Sequence, residues 1–207
     1  EHDFKNIISL IKTLNLSISK TDASIKQHFL ANTEKYKDSH TFVYTDASKK
    51  GDRVGFGIYI PEINYKYSSR LPSKLCIATA EIVAIKEGVK VILEKRRSNA
   101  IIFTGSLSAI TKLQKTSLDT SKDYITLLTK KLILEANNNI LLAWVPGHSN
   151  IPGNTEVDLL ANVSRALIIP KPIKIDSQEV FNIIKNNIKN QFYDFWNKNR
   201  TQGKKIR

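Results

Sequence analysis

The chain has 207 residues, 41% of them hydrophobic, which suffices for one domain with its own core plus extensions. It contains no run of 18 apolar residues that would suggest a membrane span, and its lone cysteine, Cys76, excludes an internal disulfide and a zinc site built on several thiolates. A formal net charge of +13 favours polyanionic partners, nucleic acid above all, although a basic surface can also serve solubility alone.

Residues 1–38 read as a short helix around Ile7, Ile8, Ile11 and Leu14, followed by a linker. The first ten residues mix charges with isoleucines and do not form a signal peptide. The absence of methionine predicts that the chain is a piece of a longer protein, and the single thiol fits an intracellular compartment, nuclear or cytoplasmic.

Residues 39–168 form the predicted central domain. Thr41–Tyr44, Val54–Ile60 and Tyr65–Ser69 are apolar or alternating and are separated by turns at Gly51-Asp52 and Pro61–Asn64, which predicts an antiparallel meander. The period then changes. Ile82, Ile85, Val89, Ile92 and Leu93 share a helical face, with Thr79 as the expected N-cap. A buried strand at Ala100–Phe103, helices at Leu107–Leu113 and Asp123–Glu135, a strand at Ile140–Val145 and a helix at Asn154–Ala166 complete the series. Three consecutive strands followed by alternation predict an α/β fold, a five-stranded mixed sheet flanked by helices.

Residues 169–207 are a basic extension, with nine Lys or Arg against three acids. Val180, Ile184, Ile188, Phe192, Phe195 and Trp196 line one side of an amphipathic helix. Three uses of that helix stay open: packing on the domain or on a neighbour, contact with nucleic acid, or a membrane surface.

Several acids stand out among apolar elements. Asp46 ends the first strand in Tyr44-Thr45-Asp46-Ala47-Ser48, where a carboxylate is costly unless hydrated, paired or bound to metal. Glu81 follows Thr79-Ala80 at the start of the longest helix, a position that helix capping alone would also explain. Asp158 comes after a loop rich in Gly, Pro and Asn that contains His148.

Taken together, these segments resemble the ribonuclease H family, more narrowly the ribonuclease H domain of non-LTR retrotransposon polyproteins. The resemblance runs from about Thr41 to Ala166. Its motifs are Tyr44–Ser48, Thr79–Glu81, Phe103–Ala109, Trp144–His148 and Gly153–Asp158. The segment from Ile175 to Asn197, with Phe195-Trp196, also resembles the region carboxy-terminal to this domain in insect-type elements.

The resemblance implies hydrolysis of the RNA strand of an RNA–DNA hybrid by two Mg²⁺ (or Mn²⁺) ions. It makes Asp46, Glu81 and Asp158 the metal ligands and His148 an aid to proton transfer or product release. Ser48, Ser106 and Asn154 become candidate nucleic-acid contacts. The hybrid and the rest of a polyprotein are the expected partners of a monomeric domain.

The pattern departs from the family at Gly105, where the family carries a fourth aspartate ligand. Losing one ligand of a two-metal site would cost on the order of a thousandfold in rate. Ser106 and Ser108 offer only neutral oxygens, and Glu156 should point elsewhere on its helix. Thr155 and Val157 also differ from the glutamate and alanine usual before the last aspartate. A decayed enzyme, a domain that binds without cutting and an introduced substitution all fit this glycine.

Overall fold

The computed structural model describes residues 11–18, 24–115, 123–136, 139–147, 149–175 and 177–202. In chain order the elements are β1 (Thr13–Leu14), α1 (Ile25–Thr33), β2 (Thr41–Lys50), β3 (Arg53–Ile60), β4 (Tyr65–Leu71), α2 (Ile77–Glu94), β5 (Ala100–Thr104), α3 (Leu107–Gln114), α4 (Tyr124–Glu135), β6 (Ile140–Trp144), α5 (Pro152–Ser164) and α6 (Ser177–Gln202). No helix among the described residues is long and apolar enough to cross a membrane.

The strands form one mixed sheet in the order β1-β6-β5-β2-β3-β4. The β2–β3–β4 meander is antiparallel, while β5 and β6 run parallel to β2. The expected α/β architecture is therefore present, with one strand more than expected. Thr13 and Leu14 pair in parallel with Leu142 and Ala143 and extend the sheet, so the helix read through Ile11 and Leu14 is absent at those residues. The helix of this region lies later, at Ile25–Thr33.

Helices cover both faces, as a sheet apolar on both sides requires. Strand alternation sends Val43 and Ala47 to one face, where they meet Ile82, Ile85 and Val89 of α2 and Ile110, Leu113, Ile125 and Ile133 of α3 and α4. Phe42 and Tyr44 go to the other face, against Phe29 of α1, Ile151 at the N-cap of α5 and Val157 within it. Tyr44 stacks on Phe103 with centroids 5.0 Å apart.

Helix α5 lies on β3 unusually closely. A Cβ on Gly57 would fall 2.8 Å from the Leu160 Cβ and 2.9 Å from the Ala161 amide nitrogen, and one on Gly55 would strike Ser164. These two glycines are paired with Asp46 and Ser48 of β2. Only residues without a side chain allow the helix to rest on the strand there.

The carboxy-terminal extension is tied to the domain. Lys171 donates its amide to the Arg70 carbonyl at 2.7 Å, and its ammonium lies 3.2 Å from the buried Glu87 carboxylate. Ile173 and Ile175 pack on the core. Beyond them α6 presents most of its apolar side chains to solvent, including Phe181, Ile188, Phe192 and Trp196.

Candidate active site

Asp46, Glu81 and Asp158 arrive from three elements. β2 continues through Asp46 to Lys50, well past the last residue that β5 pairs with, Thr45. Asp46 therefore leaves the parallel part of the sheet but stays in the antiparallel part, opposite Gly57. That glycine admits α5, and α5 carries Asp158 to the Asp46 side chain.

Asp46 lies beside Asp158. Burial, then the charge of Asp158, raises the pKa of Asp46 to about 7, against the opposing pull of the Ala47 amide. Glu81 projects from the first turns of α2. Burial, then the charge of Asp46, raises its pKa to about 9. Its Oε2 is buried without a hydrogen-bond partner. The described residues thus contain an acid cluster whose repulsion no cationic side chain relieves, an uncommon and functionally suggestive arrangement.

A second row backs the first. Asn162, one helical turn beyond Asp158, donates from Nδ2 to Asp158 Oδ1 at 3.1 Å and accepts at its Oδ1 from Ser48 Oγ at 2.6 Å. Ser48, expected to touch nucleic acid, is thus held beside the acids. Glu156 points away, as expected, and binds Lys66 Nζ at 2.7 Å. Asn154 is buried in the first turns of α5. His148 lies outside the described residues.

Gly105 comes directly after β5 and borders a pocket of about 320 Å³ together with Glu81, Ala78, Ser106, Ser108 and Trp144. A Cβ at Gly105 would meet only the Val145 carbonyl, at 3.9 Å. The position has room for a side chain, and an aspartate there would face the same pocket as Glu81. Ser106 instead caps α3, accepting from the Ala109 amide at 3.3 Å. Trp144 Nε1 donates to the Gly105 carbonyl at 3.1 Å and fixes this corner.

The donor set suits a hard divalent cation, because it consists of carboxylate oxygens and one of them is orphaned. As the side chains stand, no group of three His, Cys, Asp or Glu among the described residues is arranged around a single metal position. The absent fourth acid accords with that.

Two residues outside the motifs also shape the site. One is Asn162. The other is Glu179 of α6, which is 5% exposed. Its Oε1 accepts from the Cys76 amide at 2.5 Å and its Oε2 from Thr79 Oγ1 at 2.8 Å. Cys76, not Thr79, is the N-cap of α2 and has no side-chain cap bond of its own. A carboxylate from about a hundred residues downstream caps the helix that carries Glu81.

Among solved structures, the chain is similar to the prototype foamy virus protease–reverse transcriptase, with 18% identity and a TM-score of 0.52 over 63% of this chain and 21% of that one. It is also similar to LC11-RNase H1 in complex with an RNA/DNA hybrid, with 16% identity and a TM-score of 0.48 over 60% of this chain and 95% of that one. It spans only about a fifth of the foamy virus chain. No curated protein matches it. The model of the RNase H family, in contrast, matches residues 38–166, a stretch that includes all three acids and the Gly105 corner between them, and the chain belongs to that family.

Proposed function

We propose that this domain binds an RNA–DNA hybrid across the Asp46–Glu81–Asp158 cluster and that its capacity to hydrolyse the RNA strand is held down by Gly105. The observation that carries the reading is the uncompensated acid cluster, with its orphaned Glu81 oxygen, beside a pocket with open space at Gly105. Family membership supports the choice of substrate.

Asp46, Glu81 and Asp158 would hold Mg²⁺ or Mn²⁺. Bound there, such ions activate water and stabilise the leaving oxygen in this type of hydrolysis. The chain's own groups have distinct tasks. Asp46 would meet such an ion as its carboxylate. Asn162 orients Asp158 and fixes the Ser48 hydroxyl, which would meet a ribose 2′-hydroxyl of the hybrid. His148, Ser106 and Asn154 remain candidates for assistance and backbone contact. A monomeric domain within a retrotransposon polyprotein is the setting this reading implies, with residues 39–168 as the catalytic-type module between an amino-terminal segment (1–38) and a basic extension (169–207).

A second reading is favoured by Gly105 itself, namely a module that binds hybrid without cutting it. One experiment separates the two. Cleavage of a labelled RNA–DNA hybrid is measured in Mg²⁺ and in Mn²⁺ for the chain as it stands and for Gly105→Asp. We expect the aspartate to raise the rate at least a hundredfold, a few kcal/mol of transition-state stabilisation. Equal rates would show that another group completes the site. Hybrid binding with no cleavage by either chain would leave the binding module.

A further inference from the structure

Two rows of side chains run side by side away from the acid cluster. On β2, Asp46, Ser48 and Lys50 alternate onto one face of the sheet. On α5, Asp158, Asn162 and Arg165 recur at helical spacing, with Arg165 at the C-cap. They meet in rungs. Asp46 lies beside Asp158, and Ser48 donates to Asn162 at 2.6 Å. Lys50 and Arg165 line one small cleft of about 200 Å³ with Arg53 and Asn162. Arg53 belongs to the same face, because it is paired directly across from Lys50.

The charge therefore changes from acidic through neutral to cationic along a single seam. Four residues of β-strand separate the end rungs, about 14 Å. That is several nucleotide steps at about 3.4 Å of rise each. Lys50, Arg53 and Arg165 form no ion pair with any described residue. Arg165 is oriented by a bond from its Nε to the Asn162 carbonyl at 3.2 Å, which leaves its terminal nitrogens without a partner among the described residues. Three cations converge on a cleft with no acid in its lining, at a set distance from carboxylates that repel polyanions unless a cation is bound.

We propose that the cleft of Lys50, Arg53 and Arg165 is a phosphate subsite, taking one phosphodiester of the nucleic-acid strand whose neighbouring nucleotides lie over the acid cluster. This rests on the hybrid-binding reading above. The subsite fixes the register of the strand, since it sits on the same strand and the same helix as Asp46 and Asp158. Phosphate contacts of this kind set position and carry the salt dependence of binding.

The test is fluorescence anisotropy of a labelled RNA–DNA hybrid titrated with the chain at several salt concentrations in millimolar Ca²⁺, which occupies the acids in place of Mg²⁺. Lys50→Ala/Arg53→Ala is compared with Lys26→Ala/Lys35→Ala, a charge-matched pair on and just after α1. Both pairs are exposed, so the fold should survive; Arg165→Ala is run as a third variant with its folding checked by circular dichroism. We expect the hairpin pair to weaken binding at least tenfold and to lower the slope of log affinity against log salt by about one or two, and the α1 pair to change affinity less than twofold. Equal losses from both pairs would overturn the subsite while leaving hybrid binding in place. Failure of the unmodified chain to bind hybrid would overturn both.

Discussion

The acid cluster is closed on one side and open on the other. Towards α5, Gly57 and Gly55 bring helix and strand into backbone contact, and the Asp158–Asn162–Ser48 bonds close the seam. Towards β5 the chain also has a glycine, Gly105, but there a Cβ would find almost nothing. The same residue type has opposite meanings. At Gly57 the missing side chain is what lets two elements touch, and at Gly105 it leaves a pocket that a carboxylate could fill. Assembly of the site therefore depends on the α5 side, and its chemistry on the β5 side.

The sharpest way to break this contrast is to add the same methyl group to each side. Gly57→Ala would place a Cβ within 3 Å of the α5 backbone and push the helix off the strand. We expect a loss of about 3 kcal/mol in chemical denaturation, at the upper end for overpacking. Gly105→Ala should change stability by less than about 0.5 kcal/mol, as for a substitution into open space. Similar costs at the two positions would mean that the seam is not closed by its glycines.

A change of pH probes the charge on the cluster with its packing intact. Asp46 and Glu81 have pKa values of about 7 and about 9 in the folded chain, above their ordinary values of 3.8 and 4.5. Both therefore hold protons more tightly when the chain is folded. The stabilisation this brings is complete below about pH 4 and is lost as pH rises through 7 and then 9. Without divalent ions, melting temperature should fall between pH 5 and 9, by an amount on the order of 2 kcal/mol in stability. Millimolar Mn²⁺ should restore much of the loss at pH 8 by binding the ionised form. A flat profile in EDTA would show that the acids are hydrated and not in repulsion.

Much of this is legible in the sequence because it is local. Asp46, Glu81 and Asp158 sit in short motifs, and every strand of the meander has its own turn signal. What escapes depends on partners far away in the chain. β1 is two residues long and is a strand only because β6 offers an edge for it to pair with. Asn162 looks like an ordinary helical surface residue until Ser48 is beside it. Thr79 has the chemistry of a good cap for α2, yet the helix begins at Ile77 and a carboxylate from α6 supplies the cap. The apolar stripe of α6 shows in the sequence as amphipathic spacing, but the helix is attached through Glu179 while most of the stripe stays exposed.

Glu179 also offers the smallest and most discriminating change. It approaches the acid cluster from neither the closed seam nor the open pocket, but from beneath the helix that carries Glu81. In Glu179→Gln one oxygen remains to accept a hydrogen bond while the negative charge at the α2 N-terminus is removed. We expect a loss of about 1 kcal/mol. Lys171→Ala breaks another anchor of the extension, the ion pair with Glu87 in the middle of the same helix. The two should part company in hydrogen exchange. Glu179→Gln should speed exchange of the amides at the start of α2, from Ala80 to Glu81, and Lys171→Ala should leave them protected. If both variants loosen that turn equally, the extension supports α2 only as a whole, and the corner opposite Gly105 owes its order to packing and not to a distant cap.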